Sequence, residues 1–382
     1  MAMIYFDNAA TSLPKPPAVG QAVLAAINTF GGAGRGGHPA ALAASRCLFQ
    51  ARKAVAGLLG SAADRTVFTA NATDSLNIAI AGLLTREDHV ITTALEHNSV
   101  LRPLYKLRSQ GMGLSIVDID QQGNLDCDGF RRLLRPNSKA VVCTHASNLT
   151  GTLTDLAFLA DFCRENGLLL IVDAAQTAGV FPLDMDKLGI DVLCFTGHKG
   201  LLGPQGTGGL CIRQGLAVQP LKVGGSGLHS YSETHPADLP EALEAGTANA
   251  HGIAGLLAGV EYIQATGMDT IRDRELELAT LFRQGIAAIP GVRIYGDPAR
   301  PHAPLVTLNI GSLDSGEVGD RLATLYDICV RSGAHCAPLA HLALGTRSQG
   351  AVRFSFSSFN TEEEIQRGIR AIAAIAAEEE QG

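Results

Sequence analysis

A lysine set directly behind an apolar run is the residue with the most chemistry to offer. In Cys194-Phe-Thr-Gly-His-Lys199-Gly the run 192–195 reads as a buried strand, and Lys199 follows it in a Gly-bounded turn. Open α/β sheets bind ligands at the carboxyl edge of their strands, and an amine there can form a Schiff base with an aldehyde cofactor. A solvated surface lysine is the plain alternative for this segment alone. Upstream, Leu168-Leu-Leu-Ile-Val-Asp173-Ala-Ala-Gln176 carries an aspartate at the end of another apolar strand. A carboxylate in that position costs desolvation energy unless a cation meets it. A pyridinium nitrogen is such a cation; its protonation keeps the ring an electron sink, which is why pyridoxal phosphate sites place an acid there. A helix N-cap or a Mg²⁺ ligand would equally explain Asp173 taken singly. A strand-terminal Asp followed one strand later by a strand-terminal Lys is far more specific, and points to a pyridoxal phosphate site across adjacent strand ends.

The elements that hold these residues alternate. Apolar runs at 67–70, 89–92, 114–117, 140–143, 168–172 and 192–195 read as buried strands, and the amphipathic stretches 73–84, 98–110, 126–134 and 155–166 between them as helices. That alternation predicts a mostly parallel sheet with crossover helices. The strands are continuously apolar, as expected when both faces are covered. After about residue 255 the pattern changes to long helices, 253–264 and 268–288, then to shorter units: 306–310, 316–325, 351–355 and a final helix 361–379. Thr361 with Glu364 three residues on is a capping-box pattern. The reading is therefore a large α/β domain over 15–255 and a smaller α+β domain over 256–382, joined by residues 1–14. The segments 31–37 and 224–244 look too long to be mere connections and are expected to be functional.

Composition excludes other classes. With 382 residues the chain can form two or three domains of ~100–200 residues. Hydrophobic residues at 46% against 18% charged rule out a disordered chain. No apolar run approaches the ~20 residues of a membrane span, and the first residues lack the order of a signal peptide, so a cytoplasmic location is expected. A net charge of -7 argues against a nucleic-acid surface. The eight cysteines form no C-x-x-C pair, which predicts reduced thiols, most of them small buried hydrophobes. No metal site is expected. Cys336 differs from the rest: in Val330-Arg-Ser-Gly-Ala-His-Cys336-Ala-Pro its neighbours are small and polar, suggesting an exposed turn in which Arg331 and His335 could stabilise a thiolate. An inert structural cysteine is the alternative.

With these motifs in view, the sequence resembles the class V aminotransferase family, and within it the SufS-like cysteine desulfurases, from Phe6-Asp-Asn-Ala-Ala-Thr11 to near Asn360. The resemblance implies the fold type I of pyridoxal 5'-phosphate (PLP) enzymes. It also implies roles. Lys199 would hold the cofactor and Asp173 would pair with its ring nitrogen. Gln176 would donate to the ring oxygen, and His97, in Leu95-Glu-His-Asn98, would stack on the ring and, as a catalytic residue, shuttle a proton. The phosphate would lie at Ala70-Asn-Ala-Thr73-Asp-Ser75, with Thr73 capping the helix there, and at Thr196 and His198. Ala72 stands where the group often has Thr, which removes one hydroxyl contact. Thr247, in Glu244-Ala-Gly-Thr-Ala-Asn249, would reach the phosphate of a neighbouring subunit and make the enzyme a homodimer.

Arg353, in Ala351-Val-Arg-Phe-Ser, sits in an apolar strand, where a buried guanidinium needs an anion. The resemblance makes that anion the substrate carboxylate; an internal ion pair is the alternative. Asn148, in His145-Ala-Ser-Asn148, would contact carboxylate and cofactor. Asn8 and Ala10 would line the pocket, Arg331 would support the substrate or the loop, and Arg35 and His38 would form a pocket wall. Cys336 would take sulfur from L-cysteine, releasing L-alanine, and pass it to an acceptor protein for iron–sulfur cluster or thio-cofactor assembly. The rival readings are a selenocysteine lyase acting on L-selenocysteine, a class V transaminase, and a non-catalytic PLP-binding partner in sulfur transfer.

Overall fold

The computed structural model describes residues 3–34, 36–227 and 230–381. Strand β1 (Ile4–Tyr5) precedes two helices, α1 (Pro17–Thr29) and α2 (Pro39–Leu59). Alternation then begins: β2 (Thr66–Thr69), α3 (Ala72–Leu83), β3 (His89–Thr93), α4 (Asn98–Ser109), β4 (Gly113–Val117), α5 (Cys127–Arg132), β5 (Ser138–Thr144), α6 (Leu156–Asn166), β6 (Leu169–Asp173), α7 (Met185–Leu188), β7 (Val192–Thr196) and β8 (Gly208–Ile212). The second half holds α8 (Ala250–Thr266), α9 (Met268–Ala287), β9 (Val292–Tyr295), β10 (Leu305–Ile310), α10 (Ser315–Tyr326), β11 (Ile328–Cys329), β12 (Arg331–Gly333), α11 (Pro338–Ala343), β13 (Ala351–Ser355) and α12 (Glu362–Gln381).

Seven strands form one sheet in the order β2-β8-β7-β6-β5-β3-β4. β8 pairs antiparallel with both β2 and β7, and the remaining pairs are parallel. One face is covered by α3 and α4 through Leu76, Ile80, Val100 and Leu104. The other is covered by α2, α6 and α8 through Val55, Leu59, Phe162, Leu256 and Val260. Each such side chain contributes roughly 1.5–3 kcal/mol on burial. This is the three-layer architecture that the strand–helix alternation predicts, of the α/β class with fold type I. The boundary expected near residue 255 falls inside α8, whose Ile253, Leu256, Val260 and Ile263 belong to the core of the large sheet.

A second sheet, β12-β13-β10-β9, is antiparallel throughout. It packs on α9 and α12 around Phe6, Phe282, Phe354 and Phe356, with Phe282 and Phe354 centroids 4.6 Å apart. β1 joins this unit by parallel pairing with β11. The capping box forms: the Thr361 amide donates to Glu364 Oε2 at 2.9 Å, and the Glu364 amide to Thr361 Oγ1 at 3.2 Å.

Four elements of the large unit have no counterpart in the sequence reading: α1, α2, α7 and β8. β8 reads Gly-Gly-Leu-Cys-Ile, poor in strand formers. Packing demands the glycine there, since a Cβ on Gly209 would lie 2.4 Å from the Phe195 ring. Among the described residues no helix is long and apolar enough to cross a membrane.

Candidate active site at the strand ends

The carboxyl ends of β5, β6 and β7, with the starts of α3 and α4, open on one cavity of about 270 Å³. Its walls bring together Ala10, Ala72, Thr73, His97, Asn148, Asp173, Gln176, Thr196, His198 and Lys199 from the large unit and its N-terminal loop. Arg331 and Arg353 enter from the small sheet, and His335 from the loop after β12. Parallel register sets Asp173 beside Cys194, so the chain carries Lys199 past the end of β7 to the same edge as the aspartate.

Burial governs the charges. Lys199 lines this cavity and a neighbouring one; its pKa falls to about 8 from burial, and the guanidinium of Arg353 adds to the drop. Burial raises the pKa of Asp173, while the amide of Ala175, at 2.9 Å from Oδ1, and the ammonium of Lys199 oppose the shift. His97 falls to about 4, chiefly by burial, and is therefore a neutral imidazole. Its Nδ1 accepts from the Ser99 amide at 3.0 Å, which leaves the proton on Nε2. Arg353, 2% exposed, falls to about 10 by burial. Its Nη1 donates to the Asn148 carbonyl at 2.7 Å, and its Nη2 pairs with Asp7 at 3.1 Å.

PLP would need acceptors, donors and a nucleophile, and the cavity residues have them to spare. Thr196 Oγ1, His198 Nδ1, Asn148 Oδ1 and Arg353 Nε are buried without a partner. Buried polar groups rarely stay unpaired. The start of α3 turns toward the cavity, where the first N–H groups of a helix suit an anion. Its cap differs from expectation. Asn71, extended at φ -175, accepts from the Asp74 amide at 3.0 Å, and Thr73 lies inside the first turn with its hydroxyl 2.7 Å from that of Ser99. The helix begins one residue earlier than its hydrophobic pattern suggests. Gly208 makes room for this turn, since a Cβ there would lie 2.6 Å from Asn71 Cα. These residues fit a phosphorylated pyridine aldehyde.

Other expected residues lie elsewhere. Asn8 is buried beside a neighbouring cavity that shares Ala9, Gln176 and Lys199 with this one, and its amide also bonds backbone: Nδ2 donates to Ser355 O at 3.0 Å, and Oδ1 accepts from the Leu13 amide at 3.1 Å. Gln176 lines the cavity but donates to the Ala9 carbonyl at 3.2 Å. Thr247 is exposed beside a different hollow, lined by Phe68, Asp74 and Asn249. His38 caps α2 from the surface, and Arg35 is outside the described residues. Cys336 is half-buried rather than exposed, just beyond the lining. His335 does not carry a charge for it: burial takes its pKa down to about 3, and its Nε2 donates to the Arg331 carbonyl at 3.2 Å. Cys143 and Cys194, by contrast, are fully buried thiols pushed well above the ordinary value.

Among the polar residues of the cavity, Ser99 and Thr144 escaped the sequence reading. Ser99 bridges His97 and Thr73, and its place two residues after His97 at a helix start was the available signal. Thr144 lies at the end of β5, beside Asp173 in register, and nothing in its type marks it.

The family profile described as aminotransferase class-V matches residues 4–367. A probable cysteine desulfurase of Methanothermobacter thermautotrophicus is 34% identical, covering 95% of this chain and 92% of its own. The apo structure of a cysteine desulfurase from Thermococcus onnurineus is 33% identical, with a TM-score of 0.92 over 98% of this chain and 95% of that one. The structure of Escherichia coli cysteine desulfurase CsdA (S-sulfonic acid) is 30% identical, with a TM-score of 0.88 over the same shares.

Proposed function

The chain belongs to the class V aminotransferase family, and from that premise we propose that it is a PLP-dependent cysteine desulfurase, converting L-cysteine to L-alanine and leaving a persulfide on Cys336. The observation that carries this reading is the meeting of Lys199, Asp173 and Arg353 on one cavity. When bound, PLP supplies an electron sink for the charge released at the substrate's Cα.

The rest is the work of this chain. Lys199 would hold the cofactor through Nζ, and the same amine would move a proton at the substrate's Cα; a pKa of about 8 suits it to that exchange near neutral pH. Asp173 meets the ring nitrogen from a site too buried for water to compensate its charge. His97, neutral, presents a flat face with its proton fixed on Nε2 by Ser99. Thr73, Thr196 and His198 would hold the phosphate, Gln176 the ring oxygen, and Asn148 both cofactor and substrate. Arg353 receives the substrate carboxylate while retaining Asp7 as its resident partner. Cys336 takes the sulfur: one thiol and one L-cysteine become one persulfide and one L-alanine.

The same reading makes the enzyme a cytoplasmic homodimer, with Thr247 facing the partner's site, and an acceptor protein removing sulfur from the half-buried Cys336. The test is to give the PLP-loaded protein L-cysteine and measure alanine release together with persulfide on Cys336. Alanine without that persulfide contradicts the acceptor role; absence of alanine contradicts the activity.

A further inference from the structure

Beneath the cavity lies a second carboxyl group that the mechanism above does not use. Glu96 follows the end of β3 and directly precedes His97. It is 0% exposed. Its Oε1 accepts from the Thr93 hydroxyl at 2.6 Å and from the Thr144 amide at 3.0 Å. Thr93 ends β3 and Thr144 ends β5, so one oxygen clamps two neighbouring strand ends. Thr144 is in turn the register partner of Asp173 on β6, and its hydroxyl donates to the Ala146 carbonyl at 2.8 Å, where the segment toward Asn148 begins. The other oxygen, Oε2, is buried with no partner.

Among the described residues no Lys, Arg or His pairs with Glu96. The ionisable groups facing it are Asp173 on β6 and the Cys143 thiol on β5, and both oppose a second negative charge. An unpaired buried carboxylate costs several kcal/mol, and two buried carboxyl groups in reach of each other push their proton affinities apart. Asp173 has Lys199 and the Ala175 amide to favour its charge; Glu96 has neither cation nor free donor for Oε2.

We infer that Glu96 is a positioning residue of this site, held as the neutral acid, which fixes the strand ends bearing His97 and Thr144 and leaves the site's negative charge to Asp173. The assignment rests on the PLP reading. Burial is the chief reason Glu96 keeps its proton to about pH 8, against an ordinary 4.5. A group whose folded pKa is raised in this way stabilises fully below the unfolded value and loses that contribution as pH rises through about 8.

The experiment compares wild type, Glu96→Gln and Glu96→Ala, each stripped of cofactor. PLP is titrated in at neutral pH, and thermal unfolding without PLP is followed from about pH 6 to 9. Glu96→Gln keeps the acceptor and the neutrality, so its PLP affinity stays within about threefold of wild type, whereas Glu96→Ala loses about tenfold or more as two donors go unpaired. Wild type loses stability with rising pH more steeply than Glu96→Gln. Equal PLP affinity in all three proteins, a Gln variant as weak as the Ala variant, or parallel stability profiles would overturn the inference. If Ala does not fold, the Gln affinity and the paired pH profiles still decide. Wild-type protein that binds no PLP overturns the function and this inference together, which separates that failure from a defect confined to the variants.

Discussion

The end of β7 and the loop after β12 each present a nucleophile, and they do so by opposite means. Lys199 follows a strand hydrogen-bonded on both sides, and four donors converge on the carbonyl before it: the Ser12 amide at 3.0 Å, the Ser12 and Thr11 hydroxyls at 3.2 Å and Lys15 Nζ at 3.3 Å. Cys336 rides on two consecutive left-handed residues, His335 at φ 49 and Cys336 at φ 56, a conformation that costs an L-residue roughly 1–2 kcal/mol. What holds it is a pair of bonds from the large unit: the Asn98 amide to the Cys336 carbonyl at 2.8 Å, and Asn148 Nδ2 to the His335 carbonyl at 2.7 Å. The amine is fixed by its own sheet together with the N-terminal segment, the thiol by contacts across two units. A group that must hold a cofactor is served by the first arrangement. A group that must meet both substrate and an outside acceptor is served by the second.

The contrast breaks most visibly at the nucleophiles. Cys336→Ala should lower alanine formation from L-cysteine on the order of a thousandfold while PLP affinity is unchanged; alanine release at the wild-type rate would remove Cys336 from the chemistry. Asn98→Pro is the finer cut. Asn98 is the first residue of α4, where proline is tolerated, and His97 before it is already extended at ψ 154. The change deletes the bond to the Cys336 carbonyl and should reduce alanine formation up to about tenfold, with PLP binding kept.

Lys199→Met sharpens the other side. The folded pKa of Lys199, about 8, lies below its unfolded 10.5, so the charged amine destabilises the cofactor-free fold most at low pH. The variant should unfold at higher temperature than wild type at neutral pH. That gain should shrink as pH rises from about 8 toward 10.5, which thermal scans would follow. Smallest is Asp327→Gly, at the left-handed end of α10 with φ 56, outside the cavity. It should raise stability by about 0.5–1 kcal/mol without altering alanine formation. A fall in alanine formation there would mean that backbone strain itself, rather than the cross-unit bonds, places the thiol.

The same contrast explains what the sequence discloses. Lys199, Asp173 and Arg353 each interrupt an apolar strand or its end, so the mismatch between residue and surroundings is visible in one dimension, and the structure places all three on the cavity. Thr144 at the floor and β8 with its two glycines owe their places to packing between distant segments, which leaves no local mark, whereas the Asn71 cap is a local bond from a favoured cap type. Asn8, whose polar type and segment suggest a pocket residue, lines the hollow beside Lys199 and also staples the N-terminal loop to β13 through Ser355. Arg353 makes the internal ion pair kept as its alternative, with Asp7, and also lines the cavity.

The central claim is that the Lys199 amine is the anchor for PLP. Reduction of the PLP-loaded protein with borohydride, followed by peptide mapping, should place one pyridoxyl group on Lys199. A label on another lysine, or none on protein saturated with PLP, would contradict it.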